Sequence, residues 1–261
     1  MLDIIRSALA AASGALVGFS LGLVGGGGSI LAVPLMVYVV GVSNPHVAIG
    51  TSALAVAANG ATGLLTHARA RTIKWRCAAT YASAGIAGAL VGSMAGKAVD
   101  GQRLLFLFAI VMAVVGVLML RGRADTGNPN VECNRENFAK VVAYGLGTGT
   151  FSGFFGIGGG FLIVPGLVAS TGMPIIHAVG SSLVAVTAFG LTTALNYAAS
   201  DLVNWPLAGA FIAGGVLGGL AGARLARYLS GFHGLLTTVF ATLILAVSAY
   251  LLWKSAAAIG L

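Results

Sequence analysis

The stretch that decides the fold is Gly18–Pro34, GFSLGLVGGGGSILAVP, which returns 131 residues later as Gly149–Pro165, GTFSGFFGIGGGFLIVP. Self-similarity at a fixed offset marks a duplicated architecture. Each copy is apolar on both sides of a glycine run, Gly25-Gly26-Gly27-Gly28 in the first and Gly156-Ile157-Gly158-Gly159-Gly160 in the second. Glycine costs about 1 kcal/mol relative to alanine inside a helix, so four in a row should stop one. The surrounding apolar stretch of some 35 to 40 residues is too long for a single crossing, which takes about 20 residues. It predicts either two short helices or a span with a broken, re-entrant half.

Outward from the breaks the repeat continues at an offset of 130. Gly50-Thr51-Ser52 meets Gly180-Ser181-Ser182, Trp75 meets Trp205, and Gly85, Gly88 and Gly92 meet Gly215, Gly218 and Gly222. Between the copies lies the one long polar stretch, Arg121 to Arg135, RGRADTGNPNVECNR, with the composition of a solvated linker. The expected organisation is a first repeat over 1–120, a cytoplasmic linker over 121–137 and a second repeat over 138–261. Because the first break recurs in mid-chain, residues 7–24 read as part of the fold and not as a cleaved signal.

Composition excludes the soluble classes. Of 261 residues 58% are hydrophobic and 8% charged, with a mean hydropathy of +0.98, against roughly 25% charged residues in a soluble domain. The 40 glycines sit inside apolar runs, as in closely packed transmembrane helices, and the strict alternation of a transmembrane barrel is missing. The expected fold is therefore an all-α polytopic membrane protein of 8–10 membrane segments. Unbroken helices are expected near 47–66, 77–95, 104–120, 178–198, 206–224 and 234–253.

The formal net charge of +8 comes without a nucleic-acid recognition motif. Membrane topology accounts for it, since Lys and Arg concentrate on the cytoplasmic side. Five crossings per half with the N-terminus outside place ten of the 14 basic residues inside, and four crossings with the N-terminus inside do the same. Both put the loop His67–Arg76, HARARTIKWR, and the linker in the cytoplasm. The five-plus-five arrangement is preferred because it inverts the two halves, the design behind alternating access. Cys77 and Cys133 are far apart and lack metal-ligand spacing, which indicates neither a disulfide framework nor a metal site.

Several residues could bind a solute. Irregular backbone at membrane depth survives only against protein or a water-filled cavity. A helix restarting at Ser29-Ile30 or Gly160-Phe161 would aim unpaired amides and a positive dipole end into such a cavity, where anions fit. Packing alone is the plainer account of a single glycine run; its recurrence favours a pocket. Thr51, Ser52, Ser181 and Ser182 open long helices and either cap them or donate to an oxyanion. Asn59 falls in mid-helix, where an amide seeks a cavity or another helix; Thr62, Thr187, Thr192 and Asn196 are secondary candidates. His46 and His177 lie just before the same helices and are candidates for proton coupling. The small-residue stripes Ala84, Gly88, Gly92, Gly96 and Gly214, Gly218, Gly222 should pack those two helices on each other or form a homodimer.

No hydrolase, metalloprotease or P-loop signature occurs, and all six acidic residues map to termini or loops. This argues against an enzyme and against a cation pump. No Lys or Arg falls at membrane depth, leaving helix ends to hold the cargo, and no cofactor is indicated.

The motifs GLVGGGGSILAVP at 22–34, HVAIGTS at 46–52, GFFGIGGGFLIVP at 153–165 and HAVGSS at 177–182, taken together, resemble the TauE/SafE family of sulfite and sulfonate exporters over nearly the whole chain. The resemblance implies a multi-pass permease of the bacterial inner membrane that exports sulfite or an organosulfonate such as sulfoacetate. It carries the binding role onto Gly25 to Ser29, Thr51, Ser52, Gly156 to Gly160, Ser181 and Ser182. Ile157 interrupts the second glycine run where the first is unbroken, so the pocket would be asymmetric. Rival readings are a passive anion channel and a non-transporting subunit that docks a sulfur-metabolism enzyme through Arg69 to Arg76.

Overall fold

The computed structural model describes residues 2–121, 133, 135–158, 160–228 and 233–259. Gly159 and nearly all of the linker lie outside them. Apart from short connecting loops the described residues are helical: α1 Leu2–Val24, a 3₁₀ helix Gly25–Leu31, α2 Ala32–Tyr38, α3 Pro45–Arg69, α4 Trp75–Ala98, α5 Gly101–Arg121, α6 Arg135–Phe155, α7 Gly160–Thr171, α8 Ile175–Ala198, α9 Trp205–Tyr228 and α10 His233–Ile259. All six long helices expected from hydropathy are present. Among the described residues six segments are long and apolar enough to cross a membrane: Ile4–Gly22, Pro45–Arg69, Trp75–Ala98, Gly101–Leu118, Ile176–Ala198 and Trp205–Leu225.

The two broken stretches resolve as a full-length helix followed by a short one. In the first, α-helical bonding stops at Val24, but the glycines tighten into a seven-residue 3₁₀ helix. Its i→i+3 bonds occupy amides expected to be free, and α2 resumes at Ala32, three residues beyond the expected restart. In the second, Gly156 (φ 68°) and Gly158 (φ 63°) turn through the left-handed region that residues with a Cβ avoid. There α7 resumes at Gly160, as expected.

Helix starts follow local chemistry. Asn44 caps α3, its Oδ1 accepting from the His46 amide at 2.9 Å, with Pro45 in the first turn. Asp100 Oδ1 accepts from the amides of Gln102 and Arg103, both at 3.1 Å, at the start of α5. His46 and His177 thus lie inside the first turns of α3 and α8, not before them.

Packing exchanges elements between the halves. The stripe on α9 packs on α1 and the stripe on α4 packs on α6, so neither stripe joins α4 to α9 and both are covered within the chain. Gly14, Gly18 and Gly22 face Phe211, Gly215 and Gly219 backbone, while Gly145, Gly149 and Gly153 face Tyr81, Gly85 and Ala89 backbone. Both pairs therefore run parallel, with main chains touching where any side chain would intrude. In contrast α3 and α8 run antiparallel, Gly50 beside Tyr197 and Gly63 beside Leu183. Left-handed residues punctuate equivalent loops: Gly41 (φ 76°) and Gly172 (φ 73°), Arg71 (φ 54°) and Asp201 (φ 56°). The core includes the fully buried Tyr81 stacked on Phe189, ring centroids 6.4 Å apart.

The cysteines correct the sequence reading. Cys77, in the first turn of α4, is disulfide-bonded to Cys133, with Cα atoms 5.4 Å apart across 56 residues of sequence. The chain leaving α5 returns to the base of α4, a proximity that spacing could not show.

Candidate functional site

Glycine explains how the two hydroxyl motifs are placed. A Cβ on Gly50 would meet the Leu202 carbonyl and Tyr197, and one on Gly180 would meet Thr72. Both glycines therefore admit a loop from the other half. The next residue secures it: Thr51 Oγ1 accepts from the Asn204 amide at 3.0 Å, and Ser181 Oγ accepts from the Lys74 amide at 3.0 Å. Ser182 donates to the Val179 carbonyl at 2.7 Å. Three of the four hydroxyls singled out by sequence thus serve the backbone. Ser52 is fully buried and its Oγ has no protein partner.

The glycine breaks buttress the long helices. Gly28 lies against Ser20 and Leu21 of α1, Gly156 against Ile49 of α3, and Gly158 between Val56 of α3 and Val186 of α8. The 3₁₀ segment also contacts α7 and α8, and Ser29 is buried. Both breaks therefore meet the α3–α8 pair.

A cavity of about 160 Å³ opens beside this centre, walled by α1, α3, α8 and α9. Among the sequence-predicted site residues Asn59 and the secondary candidate Thr62 line it. Asn59 is 5% exposed, neither amide atom has a protein partner, and Gly215 of α9 leaves it room by lacking a side chain. A buried amide without partners carries a desolvation cost of about 1–3 kcal/mol for each unmet group, which suits a site that completes its hydrogen bonds with a solute. Ser52, Val56 and Asn59 share one face of α3 at i, i+4, i+7 spacing, so Ser52 and Asn59, both with unpartnered polar atoms, lie along one line.

From Asn59 the wall passes Thr62, Thr66 and His67 to Arg224 of α9, which is exposed. His67 Nδ1 is 2.9 Å from Thr72 Oγ1. Among the described residues no carboxylate lines the cavity, so the fixed charge they give it is positive. No sequence motif marks Arg224; the packing of α9 on α1 and α3 brings it to the cavity. The other described candidates are not among the residues lining the cavity. His177 is tied to the basic loop, its Nδ1 2.9 Å from the Thr72 carbonyl. His46 packs its ring 6.4 Å from that of Tyr197 at the opposite end of α3.

The family model described as sulfite exporter TauE/SafE matches residues 10–251. A probable membrane transporter protein of Xylella fastidiosa is 54% identical over 93% of this chain and 94% of its own length. The probable membrane transporter protein YunE of Bacillus subtilis is 27% identical over 78% of this chain and 83% of its own. No solved structure matches. A helical chain with several spans, carrying the family's pattern over nearly its whole length, belongs to the TauE/SafE family of membrane transporters.

Proposed function

We propose that the chain is a secondary transporter that exports a small sulfur-containing anion, sulfite or an organosulfonate such as sulfoacetate, across the bacterial inner membrane. The observation that carries this reading is the cavity itself: an unpartnered buried amide at its depth, hydroxyls along its wall, a guanidinium at its mouth and, among the described residues, no carboxylate. Its volume suits a small oxyanion with part of its hydration shell. The glycine breaks are read as shaping the α1 wall and the α3–α8 centre, with Asn59 as the principal contact.

The halves 1–120 and 138–261 are read as inverted repeats joined by a cytoplasmic linker. In support, the equivalent helices α3 and α8 run antiparallel and the left-handed loop residues recur at the repeat offset. On this reading the basic loop marks the cytoplasmic end, and the cavity, bounded there by His67 and Arg224, faces the cytoplasm.

Counterflow of labelled sulfite in proteoliposomes tests the proposal. Saturable uptake stimulated by sulfite on the far side, lost on Asn59→Ala, is expected. Linear, unstimulated flux would make the protein a channel, and failure of both sulfite and sulfoacetate to exchange would remove the substrate assignment.

A further inference from the structure

The cavity has a closed counterpart at the other end of the helices. At the repeat offset Leu21 corresponds to Ser152, Asn59 to Phe189, Gly63 to Thr193, Thr66 to Asn196, and His67 to Tyr197. The correspondence is spatial as well: Asn59 fills the space beside Gly215, and Phe189 fills the space beside the matching Gly85. Around Phe189 the counterpart positions are sealed. Ser152 Oγ, Thr193 Oγ1 and Tyr197 OH are fully buried and have no protein partner, a concentration of unmet groups that an ordinary apolar contact does not retain.

Above them Lys97, in the last turn of α4, closes the end. Its Nζ donates to the Asn196 carbonyl at 3.0 Å, to Asn196 Oδ1 at 3.0 Å and to Ser200 Oγ at 2.9 Å. Asn196 Nδ2 in turn donates to Ser93 Oγ at 2.6 Å. The ammonium lies 5.9 Å from the Tyr197 ring centre and forms no ion pair with a carboxylate among the described residues. Lys97 aligns with Arg227, one turn beyond the Arg224 that marks the open mouth. A cation held by neutral acceptors exchanges them for an anion at little cost when the helices part.

We infer that Lys97, Asn196, Tyr197, Thr193 and Ser152 form a second, now closed anion mouth at the end opposite the basic loop, with Lys97 as both its latch and its anion contact. The inference rests on reading the halves as repeats that expose one site alternately. Parting α4 from α8 breaks the three Lys97 bonds, opens the three unpartnered hydroxyls and frees the ammonium to face the arriving or departing solute. Phe189 in place of Asn59 makes the floor of this mouth apolar, so its affinity depends on Lys97 more than the open mouth's does on Arg224.

Two measurements on the full chain in proteoliposomes test it. In the first, Thr193→Cys is introduced beside Cys77→Ser and Cys133→Ser, and an impermeant maleimide is applied from the end opposite the basic loop with no sulfite present. Lys97→Gln is expected to raise the labelling rate about fivefold by releasing the latch, whereas Lys97→Arg keeps it near the parent rate. In the second, half-saturating sulfite is measured separately from each side. Lys97→Gln should raise it about tenfold from the Lys97 side, the loss of one charge-assisted contact, and leave the basic-loop side unchanged, with Lys97→Arg restoring it. Unchanged labelling overturns the latch; faster labelling with an equal change on both sides overturns the anion contact. If the parent protein moves no sulfite, the proposed substrate fails, while the labelling result still decides the closed mouth.

Discussion

Replacing Asn59 by leucine should make the protein more stable and less active at once. Asn59 has two polar side-chain atoms buried without protein partners, and leucine has the same branch at Cγ without either of them. The side chain sits in a slot left by Gly215, which a leucine of similar shape enters without new contacts at Cβ or Cγ. Relieving an unmet buried donor or acceptor is worth about 1–3 kcal/mol. Taking the low end for both atoms, Asn59→Leu gains about 2 kcal/mol. At roughly 2–4 °C for each kcal/mol in a chain of this size, thermal unfolding in detergent should rise by about 4–8 °C. The same change removes the amide proposed to meet the anion, so sulfite counterflow should fall by about tenfold or more, the loss of at least one hydrogen bond to a charged group. Asn59→Asp keeps a polar side chain of the same shape but replaces the amide donor with an acceptor-only carboxylate set against the anion, and transport should be lost with no gain in stability. A leucine variant that unfolds earlier than the parent would show that Asn59 is satisfied within the fold. One that transports normally would remove it from the solute path.

The helix contacts make three further claims. Gly18→Ala and Gly149→Ala each set a methyl group where the Gly215 or Gly85 main chain stands. Each should lower stability by about 1–3 kcal/mol through overpacking, whereas Gly147→Ala, which meets nothing within 4 Å, should be neutral or stabilising; thermal unfolding of the three variants checks this. Thr51→Val removes the acceptor for the Asn204 amide and should cost about 1–2 kcal/mol with faster hydrogen exchange at Asn204, while Thr51→Ser restores protection. Trypsin cleavage at Arg121 or Arg123, between Cys77 and Cys133, should leave the two fragments joined through the Cys77–Cys133 bond until reductant is added. Separation on a non-reducing gel would show that the cysteines are not paired.

Membrane residence, the long helices and the position of both interruptions were legible in the chain, because hydropathy over some 20 residues and the cost of consecutive glycines are local properties. So was Asn59 as a candidate, since an amide in an apolar helix stands out without any knowledge of its neighbours. What the glycines do was only partly legible. Their sequence is equally compatible with irregular backbone and with the 3₁₀ helix that forms at Gly25–Leu31, and that choice depends on the close packing of Gly28 against α1. The hydroxyls of Thr51 and Ser181 looked like ligands because their partners, the amides of Asn204 and Lys74, lie 153 and 107 residues away.

Taken by itself, then, the order of residues determined which segments enter the bilayer and that the pattern occurs twice, for both follow from side-chain transfer energies read along a single helix. Tertiary packing alone decided that α1 crosses over to α9 and α6 to α4, that Cys77 meets Cys133, and that Arg224 stands at a cavity mouth while Lys97 is bound at the opposite end. Those facts depend on which backbones can approach across distant stretches of sequence, and such an approach is set largely by the matching of glycine-lined helix faces, a property of two surfaces together that neither segment carries alone.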